Sequence, residues 1–204
     1  MMRTIFLTSA LLVGVLTVGG PRAWAQGQGR DGKGFRLSSA DLAITYTTER
    51  ATVTPNNNNP FWLRGGSADA AFTFFHGLGA VLNFTGEHAS NIAPAVNLGK
   101  IAFMAGPRYT VRAGSKHENR VFIESLFGGV HAFDSVFPLS TGVASSANSF
   151  SLQVGGGYDV DISKGFAIRV FEADYVRTSL PNGGNDVQNH LHLAFGVSYH
   201  IQRH

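Results

Sequence analysis

The run Glu87-His88-Ala89-Ser90-Asn91 places an acid, an imidazole and a hydroxyl within four residues. A serine becomes a usable nucleophile when a neighbouring histidine takes its proton, so these are the residue types of covalent hydrolysis. A second constellation is His190-Leu191-His192 with His200. Imidazoles at i and i+2 of an extended chain share a face and could meet at one metal. His200, eight residues on and roughly 26 Å away along a strand, cannot complete that site, and the three read as histidines held by polar partners. A third set is Arg108, Glu124, Asp159, Arg169, Glu172 and Asp174, charges set inside otherwise apolar segments. Charges in such surroundings persist only when paired and hydrogen-bonded. There is no Gly-x-Ser-x-Gly, His-Glu-x-x-His or phosphate loop. Gly155-Gly156-Gly157 lies within an alternating run instead of opening a helix, so it admits crowding or curvature and does not cradle phosphate.

The elements that must hold these residues are strands. From Phe150 to Ile162 one parity carries Phe150, Leu152, Val154, Tyr158 and Val160, the other Ser151, Gln153, Asp159 and Asp161. A period of two means an extended chain with different surroundings on its two faces. Seven more segments share this character, at about 40–48, 64–75, 78–87, 99–112, 120–133, 166–177 and 190–201. The segment at 166–177 slips parity between Ile168-Arg169 and Glu172–Tyr175, as a β-bulge near Val170–Phe171 would produce. The connections alternate: 49–63, 88–98, 134–148 and 178–189 are long and rich in Asn, Pro and Gly, whereas 76–77, 113–119 and 163–165 are short. An antiparallel up-and-down arrangement then gathers all long loops at one rim and all tight turns at the other.

Residues 1–25 are not read as fold. Arg3 precedes the apolar run Ile5–Val18, and Ala23-Trp24-Ala25 supplies small residues at −3 and −1 of a cut before Gln26, the layout of a cleavable signal peptide. Residues 26–38, rich in Gly and Gln, read as a flexible lead-in. Loss of Arg3 and Arg22 with the leader takes the formal charge from +3 to +1, with no basic cluster to line phosphates, which argues against a nucleic-acid partner. Charged residues make up 14% of the chain, well under the roughly 25% of soluble domains, so an unusual share of surface avoids water. With no cysteine, stability must come from a core or from backbone pairing. After the leader no apolar run approaches the length of a helical span.

Alternation alone does not say which face is inside. In a soluble lipocalin-like barrel the apolar parity would face inward around a ligand, and in a membrane barrel it faces lipid. Three features favour lipid. The apolar parity persists for about 10–12 residues, which suits a tilted span of roughly 9–11. The polar parity is poor in Lys and Glu and rich in Gly, Ser, Thr, Ala and Asn, which fits a narrow lumen filled by side chains. Tyr46, Phe74, Tyr109, Tyr158 and Tyr199 gather toward strand ends, as interfacial girdles do.

On Phe103–Tyr109, Gly155–Val160, Ala167–Tyr175 and Ala194–Ile201 the chain resembles the small OmpA/OmpX-type eight-stranded outer-membrane barrels, across essentially all of residues 39–204. The resemblance implies an all-β fold, an eight-stranded antiparallel up-and-down transmembrane β-barrel, with outer-membrane lipid as its surroundings. It also implies a C-terminal strand read by the outer-membrane assembly machinery through Gly196, Tyr199 and Ile201, although this chain continues through Gln202-Arg203-His204 instead of ending on an aromatic. The Glu87–Asn91 run is similar to the His-x-Ser-Asn of the outer-membrane lipid A 3-O-deacylases, also eight-stranded barrels. There it lies late in the chain near a separate acid, and here it closes the third segment, so His88 and Ser90 read as loop residues and no catalytic residue is assigned.

The assigned parity sends Asp41, Asp69, Glu87, Arg108, Glu124, Asp159, Asp161, Arg169, Glu172, Asp174, His190, His192 and His200 into the lumen. Their expected arrangement is a salt-bridge plug, with Arg108 and Arg169 bridging Glu124, Glu172 and Asp174. A cation-preferring pore is the alternative. The expected role is non-catalytic and needs no cofactor or metal: envelope integrity, or contact with an extracellular ligand through the outer loops. A narrow passive pore, a lipid A-modifying hydrolase and a soluble lipocalin-like binder stand as the other readings. Intact-mass measurement of the exported protein should give a chain beginning at Gln26, and a mass retaining residues 1–25 would contradict the leader.

Overall fold

The structure, a computed structural model, describes residues 38–54, 57–113 and 119–202. The leader and residues 26–37 lie outside the described residues. The elements in chain order are β1 (Ser39–Thr54), β2 (Asn57–Phe75), β3 (Leu78–Ala93), β4 (Val96–Ala113), β5 (Asn119–Leu139), β6 (Gly142–Ser163), β7 (Phe166–Thr178) and β8 (Gln188–Gln202). Each strand pairs antiparallel with the next, and β8 pairs back onto β1 from Ser39↔Gln202 to Arg50↔Leu191, so the sheet closes on itself. Closure leaves no unpaired edge, which is the condition for placing backbone amides in hydrocarbon.

The apolar parity faces out. Ile44 is 70% exposed, Phe103 59% and Val197 55%, whereas Ser151 and Gln153 on the opposite parity are 1% and 2% exposed. That distribution inverts a soluble protein and would be an aggregation surface in water. Aromatic pairs stand on the same outer face: Tyr46 with Phe195, Tyr158 with Phe171 and Phe166 with Tyr199, ring centroids 5.3, 6.2 and 4.8 Å apart.

The parity slip in β7 is a bulge. The register with β8 jumps between Arg169 and Glu172, so Val170 and Phe171 both lie on the outer surface. Before the bulge Ala167 and Arg169 point inward, and after it Glu172, Asp174, Val176 and Thr178 do. Without that extra residue the two acids would face acyl chains and Phe171 and Tyr175 the lumen.

The long connections differ from the sequence expectation. Much of 88–98 and 134–148 is strand, leaving only residues 94–95 between β3 and β4 and 140–141 between β5 and β6. Of the prolines that marked these stretches as loops, Pro94 sits in the two-residue turn and Pro138 pairs with Val143 in the ribbon, which bulges nearby: the β3–β4 register shifts between Ala89 and Ala93, around Asn91 (φ 54), and the β5–β6 register between Phe133 and Phe137, beside Asp134 (φ 59). Asn and Asp tolerate that left-handed backbone better than branched residues. With 21 and 22 residues, β5 and β6 far exceed the roughly 9–11 needed to cross a bilayer, so their hairpin stands proud of it. At the opposite end β2 turns into β3 through His76 and Gly77, both at positive φ as a two-residue hairpin of twisted strands requires.

The connection 179–187 is irregular but tied by its own side chains. Asn182 Oδ1 accepts from the amides of Gly184 and Asp186, at 2.9 and 3.0 Å, and Asp186 Oδ1 accepts from Asn182 N at 2.9 Å. The Gln188 amide group accepts from Leu180 N and donates to Leu180 O, at 2.9 and 2.8 Å, which pins Leu180 inward over the lumen.

Phe103 lies near the middle of the outer band. Phe103→Arg should lose about 2–4 kcal/mol of folding free energy, the cost of a cation at the midplane. Urea titration in lipid vesicles reads this, and an unchanged midpoint would contradict the lipid-facing assignment.

Candidate functional site: a charged plug in the barrel lumen

Because inward residues alternate with outward ones, each strand adds a side chain to the lumen every second residue, and many of these are polar. Near the termini Arg120 pairs with Asp41 at 2.5 Å and Asp161 at 3.0 Å, and His200 joins Asp41 (2.5 Å) to Arg112 (2.9 Å). Asp41, Arg112, Arg120 and His200 line an open vestibule of about 540 Å³.

The next layer is built on two guanidiniums. Arg169, 1% exposed, donates to Asp159 at 3.0 Å and to Asp69 and Glu172 at 2.7 Å each. Arg108 holds Glu124 through Nε at 2.5 Å and lies 3.5 Å from Asp69, whose other oxygen accepts from Asn83 at 2.7 Å. The two cations share the carboxylate of Asp69, and they share an aromatic ring as well, that of Phe122. Its buried ring lies under both guanidiniums, 4.3 Å from Arg108 and 4.5 Å from Arg169. Two of the sequence's glycines make the room. A Cβ on Gly157 would sit 2.6 Å from the Phe122 ring, and one on Gly155 would strike the Asp174 carboxylate. Gly155 is the lateral partner of both Glu124 and Asp174, so the carboxylates of two flanking strands close over a position with no side chain.

Further along, Glu49 accepts from Lys100 and from His190 Nδ1, the latter at 2.6 Å, and Lys100 also reaches Glu87 at 2.9 Å. Asp174 accepts from Gln153 and His192 at 3.0 and 3.1 Å. The void at this level, lined by Glu49, Thr85, Lys100, Gln153 and His192 among others, is about 10 Å³, the space of a single water. Above it the inward faces turn apolar, with Leu63, Ala51 and Ala89 buried on one side and Val130, Ala132, Phe137 and Leu180 on the other.

Arg108, Glu124, Asp159, Arg169, Glu172 and Asp174 are all buried in this lumen. One pairing differs from expectation. Asp174 touches neither arginine and is held by Gln153 and His192, because it lies one inward step beyond Glu172 and directly across from His192. Asp69, which the sequence placed inward without a partner, joins the two arginines. Glu49 and Lys100 join the lumen beyond the expected set, each continuing its strand's inward parity. Glu124, Glu172 and Asp174 bring carboxylate oxygens within 4.8 Å of one another, a spacing that could hold a metal ion. Glu124 and Glu172 already have guanidinium partners there.

The hydrolase-like run is split across the sheet. Glu87 is buried and paired with Lys100, whereas His88 and Ser90 lie on the outer surface and share no hydrogen bond among the described residues. His190 and His192 bind different acids, and His200 sits at the other rim. In β8, Gly196 lies against the β1 backbone, where a Cβ would collide with Ile44 O, while Tyr199 and Ile201 face outward.

No protein-family model and no curated protein matches the chain. Solved structures do. The chain is similar to Ail, the attachment invasion locus protein of Yersinia pestis, at 19% identity and TM-score 0.55, covering 81% of this chain and all of that one. Ail has also been solved in complex with the heparin analogue sucrose octasulfate. Neisserial surface protein A is similar at 14% identity and TM-score 0.57, over 78% of this chain and 96% of that one. The outer membrane protein OprG from Pseudomonas aeruginosa gives 9% and 0.50, over 85% and 100%. At these identities the likeness establishes a shared fold, that of the small eight-stranded outer-membrane barrels.

Arg169→Met strips the central cation from Asp69, Asp159 and Glu172. Breaking a buried ionic network from one side costs about 3–5 kcal/mol, so urea unfolding in vesicles should shift by that much. A shift below 1 kcal/mol would mean that the lumen is wet enough to screen these charges.

Proposed function

We propose that the protein is a non-catalytic component of the bacterial outer membrane that works through its surface, as a wall element or by contact at its outer hairpins, and not by passing solutes. The observation that carries this reading is the lumen itself: three acids converge on Arg169, Lys100 sits between Glu49 and Glu87, and the void beside Glu49 and Lys100 is the size of one water. A hydrated ion has no route through such a layer without breaking buried ion pairs. The leader of residues 1–25 would export the chain, and Gly196, Tyr199 and Ile201 on the closing strand would present it to the assembly machinery. Outer-membrane lipid is the natural partner of the apolar band. Arg50, Arg64 and Arg177 stand exposed toward the hairpin end, where their long side chains can reach anionic head groups.

Surface contact is favoured by how little the β7–β8 connection is free to change, with Asn182, Asp186 and Gln188 fastening it from within. Pre-ordered loops lose less entropy on binding. The attachment protein and the heparin-analogue complex among the similar structures support a ligand-contacting role in this fold, without identifying the ligand of this chain.

Purified protein in planar bilayers should give no stepwise conductance, and Asn185→Cys, in a chain without cysteine, should react on intact cells with a membrane-impermeant maleimide. Steady single-channel steps would overturn the sealed lumen, and an unreactive Asn185→Cys would overturn the outward placement of the hairpins.

A further inference from the structure

The inward face of this barrel carries charged groups from the terminus-side vestibule to the Glu49–Lys100 layer, with Val81, Met104 and Leu126 packed among them, and then turns mostly apolar at the end that carries the long hairpins. A mouth of that kind needs a reason, since water-facing apolar surface in a concave site marks a place where something binds. The residues there enclose a cup of about 350 Å³ whose walls come from all four outer connections: Phe61 from β2, Ile92 and Leu98 from β3 and β4, Phe137 from β5, and Leu180 with Pro181 beyond β7. The volume falls within the roughly 300–1,000 Å³ of small-molecule sites. The cup is blind, because beneath it lie His190 and its partner Glu49, with Lys100 beside them.

The polar groups at the cup narrow the ligand. Gln188 lines it, but its oxygen already accepts from Thr178 Oγ1 and Leu180 N and its nitrogen donates to Leu180 O. His190 lines it too, and its Nδ1 faces the Glu49 carboxylate, which can only accept, so Nδ1 carries the proton. In the neutral imidazole that leaves Nε2 an acceptor, without a partner among the described residues. From this geometry we infer that the cup binds a small molecule with an apolar body and one hydrogen-bond donor, an alkyl- or aryl-substituted alcohol or phenol, seated with its hydroxyl on His190 and its hydrocarbon against Phe61, Leu98, Phe137 and Leu180.

This deepens the surface-contact reading and rests on it, because a ligand reaches the cup only from the hairpin side. The test places methyl-labelled protein in phosphatidylcholine nanodiscs, which keep detergent out of the cup, and titrates 4-propylphenol while following the methyl resonances of Ile92, Leu98 and Leu180. Saturable shifts confined to these methyls are expected. 4-Propylanisole, which lacks the donor, should bind about tenfold more weakly, the worth of one hydrogen bond at a buried group. Ala93→Trp and, independently, Ser135→Trp should fill the cup and abolish saturation, with the heat-dependent gel mobility of each variant verifying a closed barrel. Shifts that grow linearly with concentration, or that persist in both blocked barrels, would overturn the site. Equal affinity for phenol and ether would overturn the role of His190. Failure of binding in a protein whose Asn185→Cys still labels on cells removes only the ligand, whereas failure of labelling removes the surface reading beneath it.

Discussion

A peptide group in hydrocarbon has no water to receive its proton or supply one, and each unmet group costs several kcal/mol. A strand can meet this demand only through neighbours on both sides, so a sheet in a bilayer must close. Everything else in the molecule follows from that closure. Eight strands make the ring, the ring sends alternate side chains outward and inward, and the lipid takes the outward set, from Ile44 to Val197. What remains for the interior is a space too narrow to hold bulk water and too polar to be left unmatched.

The chain resolves that conflict by pairing charge and sharing space. Arg108 and Arg169 serve Asp69 in common, and the ring of Phe122 lies under both cations. Gly155 and Gly157 withdraw their side chains at the positions where carboxylates and ring would otherwise collide. The glycine run is thus the complement of the charged set, and neither makes sense without the other. The same reasoning explains the β7 bulge. One added residue moves Glu172 and Asp174 from the lipid side to the lumen, so a local irregularity of backbone decides whether two acids are stabilised or stranded.

The barrel itself was legible because a period of two is a local property: Phe150–Ile162 displays it within a dozen residues, and the slip near Val170–Phe171 announced the bulge. The hairpins were less legible. Pro94 and Pro138 carry turn chemistry, but Pro94 serves a turn of only two residues and Pro138 stays within the ribbon, and only the cross-strand register separates such places from a long loop. Lumen membership could be read by counting parity, and counting further would have reached Glu49 and Lys100. The pairings could not. Arg169 meets Asp69 across 100 residues of chain, a contact set by how the ring closes and invisible in any window of sequence. The apolar mouth was hidden for a different reason, since Leu63, Phe137 and Leu180 fall where alternation breaks down and hydrophobicity no longer indicates lipid.

Several ionic contacts span the ring instead of running along it: Arg169 on β7 with Asp69 on β2, Arg120 on β5 with Asp41 on β1, Lys100 on β4 with Glu49 on β1. Each needs the sheet to curl far enough to bring strands that are not neighbours face to face. In the closed ring each of these charges meets its partner across the lumen, and that meeting is what makes a dry interior tolerable.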